Sequence, residues 1–267
     1  PNLKMPFKRY QIGQVFRDGP LKTGRYREFM QCDVDVVGIK SMAADAEIVE
    51  ITLDAFKELD LDVEVRINNR KLLDAALLES GVPKEKLETT ILGLDKLQKF
   101  GAEAVKKELL AKGLNKEVVS KIFSEYVGYS GNKNELNNLR KVLKNKEGLG
   151  EIEQVLSLTK DVRVKFNSTL ARGLAYYTGT VFEVFLRNSE ITSSVAAGGR
   201  YDRMIGNFVG SGREYPAVGI SFGLDIIEDV LKTKDNGSSR TTTKVYIIPV
   251  NAAMEAEARK AAAELRR

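Results

Sequence analysis

Apolar and polar side chains alternate along residues 10–16 (YQIGQVF) and 27–37 (REFMQCDVDVV), with the turn-forming run DGPLKTG between them. A period of two interrupted by glycine and proline predicts an antiparallel hairpin closed by a long loop. Residues 42–60 (MAADAEIVEITLDAFKELD) carry apolar side chains at helical spacing, and 62–68 (DVEVRIN) return to alternation. From about 70 to 157 the chain is rich in Leu and Lys and helical in period, with breaks at Gly81-Val82-Pro83, Gly113 and Tyr129-Ser130-Gly131. Strands resume at 161–167, 180–187 and about 215–222, and a helix follows from Gly223 to about Lys232. Residues of about 84–158 therefore read as a helical insertion. Sheet segments on either side of it predict the α+β class, an antiparallel sheet flanked by helices.

Residues 233–243 (TKDNGSSRTTT) are polar and of low complexity, the composition of a linker. Beyond them, KVYIIPV reads as a buried-type strand and 252–267 as a helix. A strand and a helix of roughly 24 residues do not make a core alone. The expected organisation is a core over residues 1–233, a linker at 234–243 and the start of a second domain at 244–267. The chain also opens abruptly in strand-like sequence, so it is expected to be a fragment of a longer protein.

Composition narrows the chemistry. The 267 residues include 42 Lys and Arg against 37 Asp and Glu, a formal charge of +5, which suits a polyanionic partner without demanding one. There is no histidine, so a Ser-His-Asp triad, a histidine base and an HExxH zinc site are excluded within the chain. The single Cys32 excludes internal disulfides and Cys-rich metal sites, and its strand setting reads as a structural thiol. No metal site is expected. No apolar run approaches a membrane span and no signal-peptide pattern opens the chain, so the expectation is a soluble, cytoplasmic protein with no membrane partner.

Three segments carry candidate chemistry. In the second hairpin strand, Met30, Cys32, Val34 and Val36 share one face, while Arg27, Phe29, Gln31, Asp33 and Asp35 share the other. That polar face is either solvated or the floor of a binding site. The hairpin loop adds Arg17, Lys22, Arg25 and Arg27, whose guanidinium forks fit phosphate oxygens, although a merely basic loop would look the same. Neither a P-loop nor a Rossmann glycine motif is present. The second segment is LARGLAYYTGTVFE (170–183), in which Arg172 precedes the adjacent Tyr176 and Tyr177. It could wall a small-molecule pocket or simply pack a turn. The third is AAGGRYD (196–202), whose paired glycines permit close approach by a ligand or another backbone before a short helix.

In this order the segments resemble the catalytic domain of histidyl-tRNA synthetases, a class II aminoacyl-tRNA synthetase family. FRDGPLKTGRYREFMQCDVDVVG is similar to class II motif 2, LARGLAYYTGTVFE to the histidine-specific signature, AAGGRYDRMIG to the segment after it, and PAVGISFGLD to motif 3. The resemblance implies a class II sheet, a helical insertion and the start of an anticodon-binding α/β domain. It implies ATP-driven formation of histidyl-adenylate and transfer of the histidyl group to the 3′ end of its tRNA, by a protein that works as a homodimer. It assigns Arg17 to the α-phosphate and carboxylate, Arg25 to the distal phosphates and Arg172 to the α-phosphate. Gln31, Asp35, Tyr176 and Tyr177 would bind histidine, and Mg²⁺ would arrive with ATP.

The chain departs from the family pattern at four places. Gly19 stands where motif 2 usually has an acid, Ala175 where the signature has one, and Ile226 where motif 3 has an arginine. Motif 1, which builds the family's dimer interface, and the upstream segment that holds the substrate's amino group are missing, so the resemblance does not by itself imply that this polypeptide is active alone. A second reading is therefore kept: a non-catalytic paralogue, either a regulatory subunit of ATP phosphoribosyltransferase or a tRNA-sensing domain. The lysines of the insertion, among them Lys106, Lys107, Lys121, Lys141 and Lys144, mark either a solvated surface or a contact for the tRNA acceptor arm.

Overall fold

The computed structural model describes residues 3–19, 26–127, 134–172, 176–234 and 243–266. Residues 1–228 and 229–267 form two separate compact units. The first is built on a seven-stranded sheet of β1 (Phe7–Phe16), β2 (Glu28–Val37), β3 (Val63–Asn69), β4 (Val164–Phe166), β5 (Thr180–Leu186), β6 (Ala196–Arg200) and β7 (Ala217–Gly223). The spatial order is β1-β2-β7-β6-β5-β3-β4, antiparallel throughout except for the parallel pair β3 and β4. The expected α+β class is the one observed, and the first hairpin pairs Phe7 through Phe16 with Val37 through Glu28.

Strand alternation gives the sheet two unlike faces. Cys32, Val34 and Val36 lie opposite Phe222, Ile220 and Val218, so the apolar sets of β2 and β7 share one face. Helix α1 (Met42–Glu58) covers it with Ile48, Val49, Leu53 and Phe56, and the Phe56 and Phe222 rings meet at 5.8 Å. Ser41 caps α1 by accepting from the Ala43 N–H. A second helix, α7 (Glu147–Thr159), packs beside α1 and against β3. Cys32 is half-buried on this face, and burial together with the neighbouring Asp33 charge pushes its thiol pKa up, against a nucleophilic role.

The insertion consists of α2 (Arg70–Glu79), α3 (Leu87–Leu94), α4 (Leu97–Ala111), α5 (Lys116–Glu125) and α6 (Glu135–Val142) leading into α7. Leu72, Leu77, Ile91, Leu109, Ile122 and Leu139 are among the residues that give it a core of its own. A buried polar latch ties it to the sheet. Asn68 of β3 donates through Nδ2 to the Tyr126 hydroxyl at 3.0 Å and to the Ser168 and Leu170 carbonyls at 3.0 and 2.8 Å. The Ser168 N–H in turn donates to Glu135 Oε1 at 2.9 Å.

Residues 196–200, whose paired glycines were expected to permit close approach by a ligand or another backbone, form β6, near the middle of the sheet, where the side-chain-free backbone of Gly198 and Gly199 fits between β5 and β7. One expectation needs correction. Residues 244–250 were read as a buried strand but are irregular, with Val245, Tyr246, Ile248 and Val250 exposed. A strand needs a neighbour's carbonyls and N–H groups, and residues 229–267 offer none among those described. That unit otherwise contains α10 (Glu255–Leu265). Helices α8 (Met204–Phe208) and α9 (Leu224–Lys234) flank β7 in sequence.

A fully buried ion pair pins α1 to β6. Arg200 Nη2 and Nε reach Asp45, Nη1 donates to the Ile39 carbonyl at 3.1 Å and to Asp202 at 3.2 Å, and Nη2 donates to the Ser41 carbonyl at 3.3 Å. Removing one partner strands a charge in the core, whereas replacing both with apolar groups does not. Asp45→Leu is expected to destabilise residues 1–228 by about 3–5 kcal/mol in urea denaturation, and the double variant Asp45→Leu, Arg200→Met to recover most of that loss.

Candidate functional site

The other face of the same sheet is polar and nearly bare of bulk at its centre. Pairing places Gln31, Asp33 and Asp35 of β2 opposite Gly223, Ser221 and Gly219 of β7. Gly219 pairs with Gly199 of β6, and Gly199 with Val181 of β5. The glycines are required by their neighbours. A Cβ on Gly219 would collide with the Asp35 carboxylate and one on Gly199 would lie 2.8 Å from the Tyr177 ring. The result is a cavity of about 350 Å³ whose floor is backbone and whose walls include Asp33, Asp35, Tyr176, Tyr177 and Tyr201.

Asp35 is held from two sides: Arg9 of β1 donates to Oδ2 at 3.0 Å and the Tyr201 hydroxyl donates to Oδ1. The Tyr176 and Tyr177 rings stack at 4.6 Å with an interplanar angle of 53°, Tyr177 buried and Tyr176 exposed. Burial raises the Tyr177 pKa against the opposing Arg172 charge, and burial followed by the hydrogen bond to Asp35 raises that of Tyr201. Both phenols are therefore neutral donors over the physiological range.

A second cavity of about 120 Å³ adjoins the first through the shared residues Ala197 and Ser221. Its walls include Arg17, Phe29, Gln31 and Ile226. The Arg17 guanidinium lies 4.3 Å from the Phe29 ring centroid and donates through Nε to the Tyr26 carbonyl at 2.8 Å. Gln31 Nε2 donates to Asp33 Oδ1 at 2.7 Å. Where the family pattern has an arginine, Ile226 is buried against Gly223.

Arg172 stands behind the tyrosine pair. Its guanidinium carbon is 6.0 Å from the Tyr177 ring centroid, and Nη1 donates to Glu183 Oε1 at 2.9 Å. Ser194 donates to the same oxygen at 3.4 Å. Burial opposes the Arg172 charge, and the Glu183 carboxylate at hydrogen-bond distance supports it. The insertion reaches this region too, since Gln98 of α4 accepts from Arg66 of β3 at 3.5 Å.

Of the residues singled out in the sequence, Asp35, Tyr176 and Tyr177 share the larger cavity, Gln31 and Arg17 the smaller one, and Arg172 lies beside Tyr177. Arg25 lies outside the described residues. Sequence reasoning gave no individual role to Arg9, Asp33, Tyr201 or Glu183, although all but Arg9 stood within the candidate segments. The signal for Asp33 was its place on the polar face, and that for Glu183 its alternation within TVFEVFL. Nothing in sequence marked the pairing of Arg9 with Asp35, which depends on hairpin register. Among the described residues no three carboxylate or thiol groups converge as a metal site, and no helix is long and apolar enough to cross a membrane.

Comparison with known proteins places this geometry. A family model described as histidyl-tRNA synthetase matches residues 2–227. A curated relative, histidine–tRNA ligase 1 of Bacillus cereus, is 43% identical over 262 residues, covering 96% of this chain and 61% of the relative. The crystal structure of histidyl-tRNA synthetase from Nostoc superposes with a TM-score of 0.78 at 31% identity, over 99% of this chain and 64% of that one. A Bacillus halodurans structure described as an ATP phosphoribosyltransferase regulatory subunit/histidyl-tRNA synthetase has a TM-score of 0.72 at 21% identity, over 85% of this chain and 59% of that one. The chain thus spans about three fifths of the length of these proteins.

The buried phenols make a testable statement. Burial first, and the Asp35 hydrogen bond at Tyr201, raise the pKa of Tyr126, Tyr177 and Tyr201 above the ordinary value near 10. Unfolded tyrosines lose their protons near pH ~10, so above it the unfolded state binds fewer protons and stability falls as pH rises. In a phenolate absorbance titration these three of the nine tyrosines are expected to stay silent until the protein unfolds.

Proposed function

We propose that this chain, which belongs to the histidyl-tRNA synthetase family, is the catalytic part of an enzyme that activates histidine with ATP and passes it to the 3′ end of its tRNA. The observation that carries the reading is a pair of neighbouring cavities on one face of the sheet. A cavity walled by tyrosines and carboxylates shares Ala197 and Ser221 with a second cavity bearing Arg17.

The chemistry follows from charge. Attack by the amino-acid carboxylate on the α-phosphate brings two anions together, so fixed cations at the junction lower the barrier by screening them and by stabilising the pentavalent phosphorus. Arg172, held by Glu183, and Arg17, held by the Tyr26 carbonyl and the Phe29 ring, are preorganised for that task. Tyr176, Tyr177 and Asp35 would receive the imidazole, and a polar pocket of this kind disfavours apolar isosteres, which leave its groups unpaired. Gln31 would bind nearer the carboxylate and Arg25 the distal phosphates. Mg²⁺ would enter on the triphosphate, because the described residues form no metal site of their own, and no step is assigned to it. Residues 1–233 would be the catalytic core, 84–158 an insertion and 244–267 the start of an anticodon-binding domain after a linker. The intact protein would be a cytoplasmic homodimer with tRNA as its macromolecular partner.

One observation favours a second reading. Ile226 brings an aliphatic side chain to the cavity that bears Arg17, which suits a non-catalytic regulatory or tRNA-sensing paralogue. Amino-acid-dependent ATP–pyrophosphate exchange by the full-length protein separates the two. The enzyme reading expects exchange with histidine alone among the amino acids, lowered by at least ~10²-fold in Arg172→Ala. A folded protein that binds histidine but gives no exchange would establish the regulatory reading.

A further inference from the structure

The helical insertion carries a groove that the proposed reaction does not use. It lies between α4 and α5, which are joined by a turn at Gly113, and has a volume of about 610 Å³. On α4 it is lined by Glu103, Lys106, Lys107 and Leu110, the i, i+3, i+4, i+7 stripe of one helical face. On α5, Lys116, Val119 and Phe123 recur at i, i+3 and i+7. The α4 stripe is not the one that builds the insertion's core. Val105 and Leu109 are buried there. Leu110, roughly 100° further round the helix, is 42% exposed. The rim of the groove is basic. Lys106 pairs with Glu103 at 2.8 Å and lies 5.1 Å from the Phe123 ring centroid. Lys107 and Lys116 have no carboxylate partner among the described residues. Lys116 also opens α5, where the aligned peptide dipoles add to its charge. Two uncompensated cations over an apolar floor call for an occupant that brings both carboxylates and hydrophobic side chains.

We propose that the groove between α4 and α5 docks an amphipathic helix of a protein partner, apolar along its seam and acidic on its flanks. A helix laid between two joined helices completes a small bundle, and its anchors recur at the same i, i+3, i+4, i+7 spacing as the stripes it meets. Its apolar side chains would cover Leu110, Val119 and the Phe123 ring, and its carboxylates would reach Lys107 and Lys116. Charge alone would suit a nucleic acid equally well, but an RNA duplex meets lysines with phosphates and leaves an apolar floor uncovered. The floor therefore decides for the peptide. The groove shares no lining residue with the two cavities on the sheet, so the proposal is independent of the reaction assigned to them.

The probe is a fluorescein-labelled peptide of about 18 residues, or about five helical turns, with leucine along one i, i+3, i+4, i+7 face and glutamate elsewhere. A second peptide of the same composition has its leucines scattered round the helix. Both are titrated by fluorescence anisotropy against the full-length protein, against Leu110→Gln, against the pair Lys107→Glu, Lys116→Glu, and against Lys141→Glu, a lysine of α6 outside the groove. The altered groove residues are exposed, so the far-UV circular dichroism of each variant is expected to match that of the unaltered protein. The expected result is binding of the first peptide alone, weakened about 10-fold by Leu110→Gln and by the lysine pair and unchanged by Lys141→Glu. Equal binding of the two peptides, or binding that falls with the lysine pair but not with Leu110→Gln, would show a merely electrostatic surface and overturn the proposal. So would failure of the first peptide to bind, and a labelled RNA duplex that binds and is released by the lysine pair would then identify a phosphate contact instead.

Discussion

The site depends on two glycines that face each other across neighbouring strands. Gly199 and Gly219 pair between β6 and β7, and the space their missing side chains leave is taken by Tyr177 on one side and the Asp35 carboxylate on the other. Any side chain there would displace the groups that wall the cavity. The floor is therefore backbone, already hydrogen-bonded within the sheet, while the side-chain chemistry of the cavity lies in its walls. Along the same face the walls grade from phenols and carboxylates to an arginine stacked on an aromatic ring. A ligand carrying a cationic end and an anionic end would find its complement without a metal or a glycine-rich phosphate loop.

Both ends of that gradient are rigid because each charged group is already engaged. Arg172 is set by Glu183, Asp35 by Arg9 and Tyr201, and Gln31 by Asp33. Preorganised dipoles and charges need not reorient as a reaction proceeds, which is why such networks are effective around phosphorus. The same strands bury Arg200 and Asp45 on the opposite face, so the residue that immediately precedes Tyr201 is fixed to α1. Packing on the apolar face thereby sets the position of a phenol on the polar one.

Much of this was legible in the chain because period-two patterning is a local signal. The two faces of β2 could be separated by counting alternate residues, and the hairpin, α1, β3, β5, β7 and α9 were placed to within a few residues. Strand β6 was hidden because two glycines and two alanines carry neither β-branching nor alternation, and its position is set by the two strands that flank it. The segment 244–250 misled for the opposite reason: its composition is that of a strand, but strand formation is a property of a pair. At the site, tyrosines and arginines stood out by type. The partnerships that orient them, Arg9 with Asp35 and Glu183 with Arg172, join residues 26 and 11 positions apart through sheet register and a turn, which no local pattern encodes.

The latch at Asn68 gives the helical module a share in the behaviour of the site. Ser168 and Leu170, the carbonyls that Asn68 holds together with the Tyr126 hydroxyl, precede Arg172 by only a few residues. The C-terminal end of α5 and the segment before Arg172 thus share one set of buried hydrogen bonds, and local opening that breaks the set exposes both. Exchange protection of the amides in α5 should then rise and fall with that of the segment before Arg172.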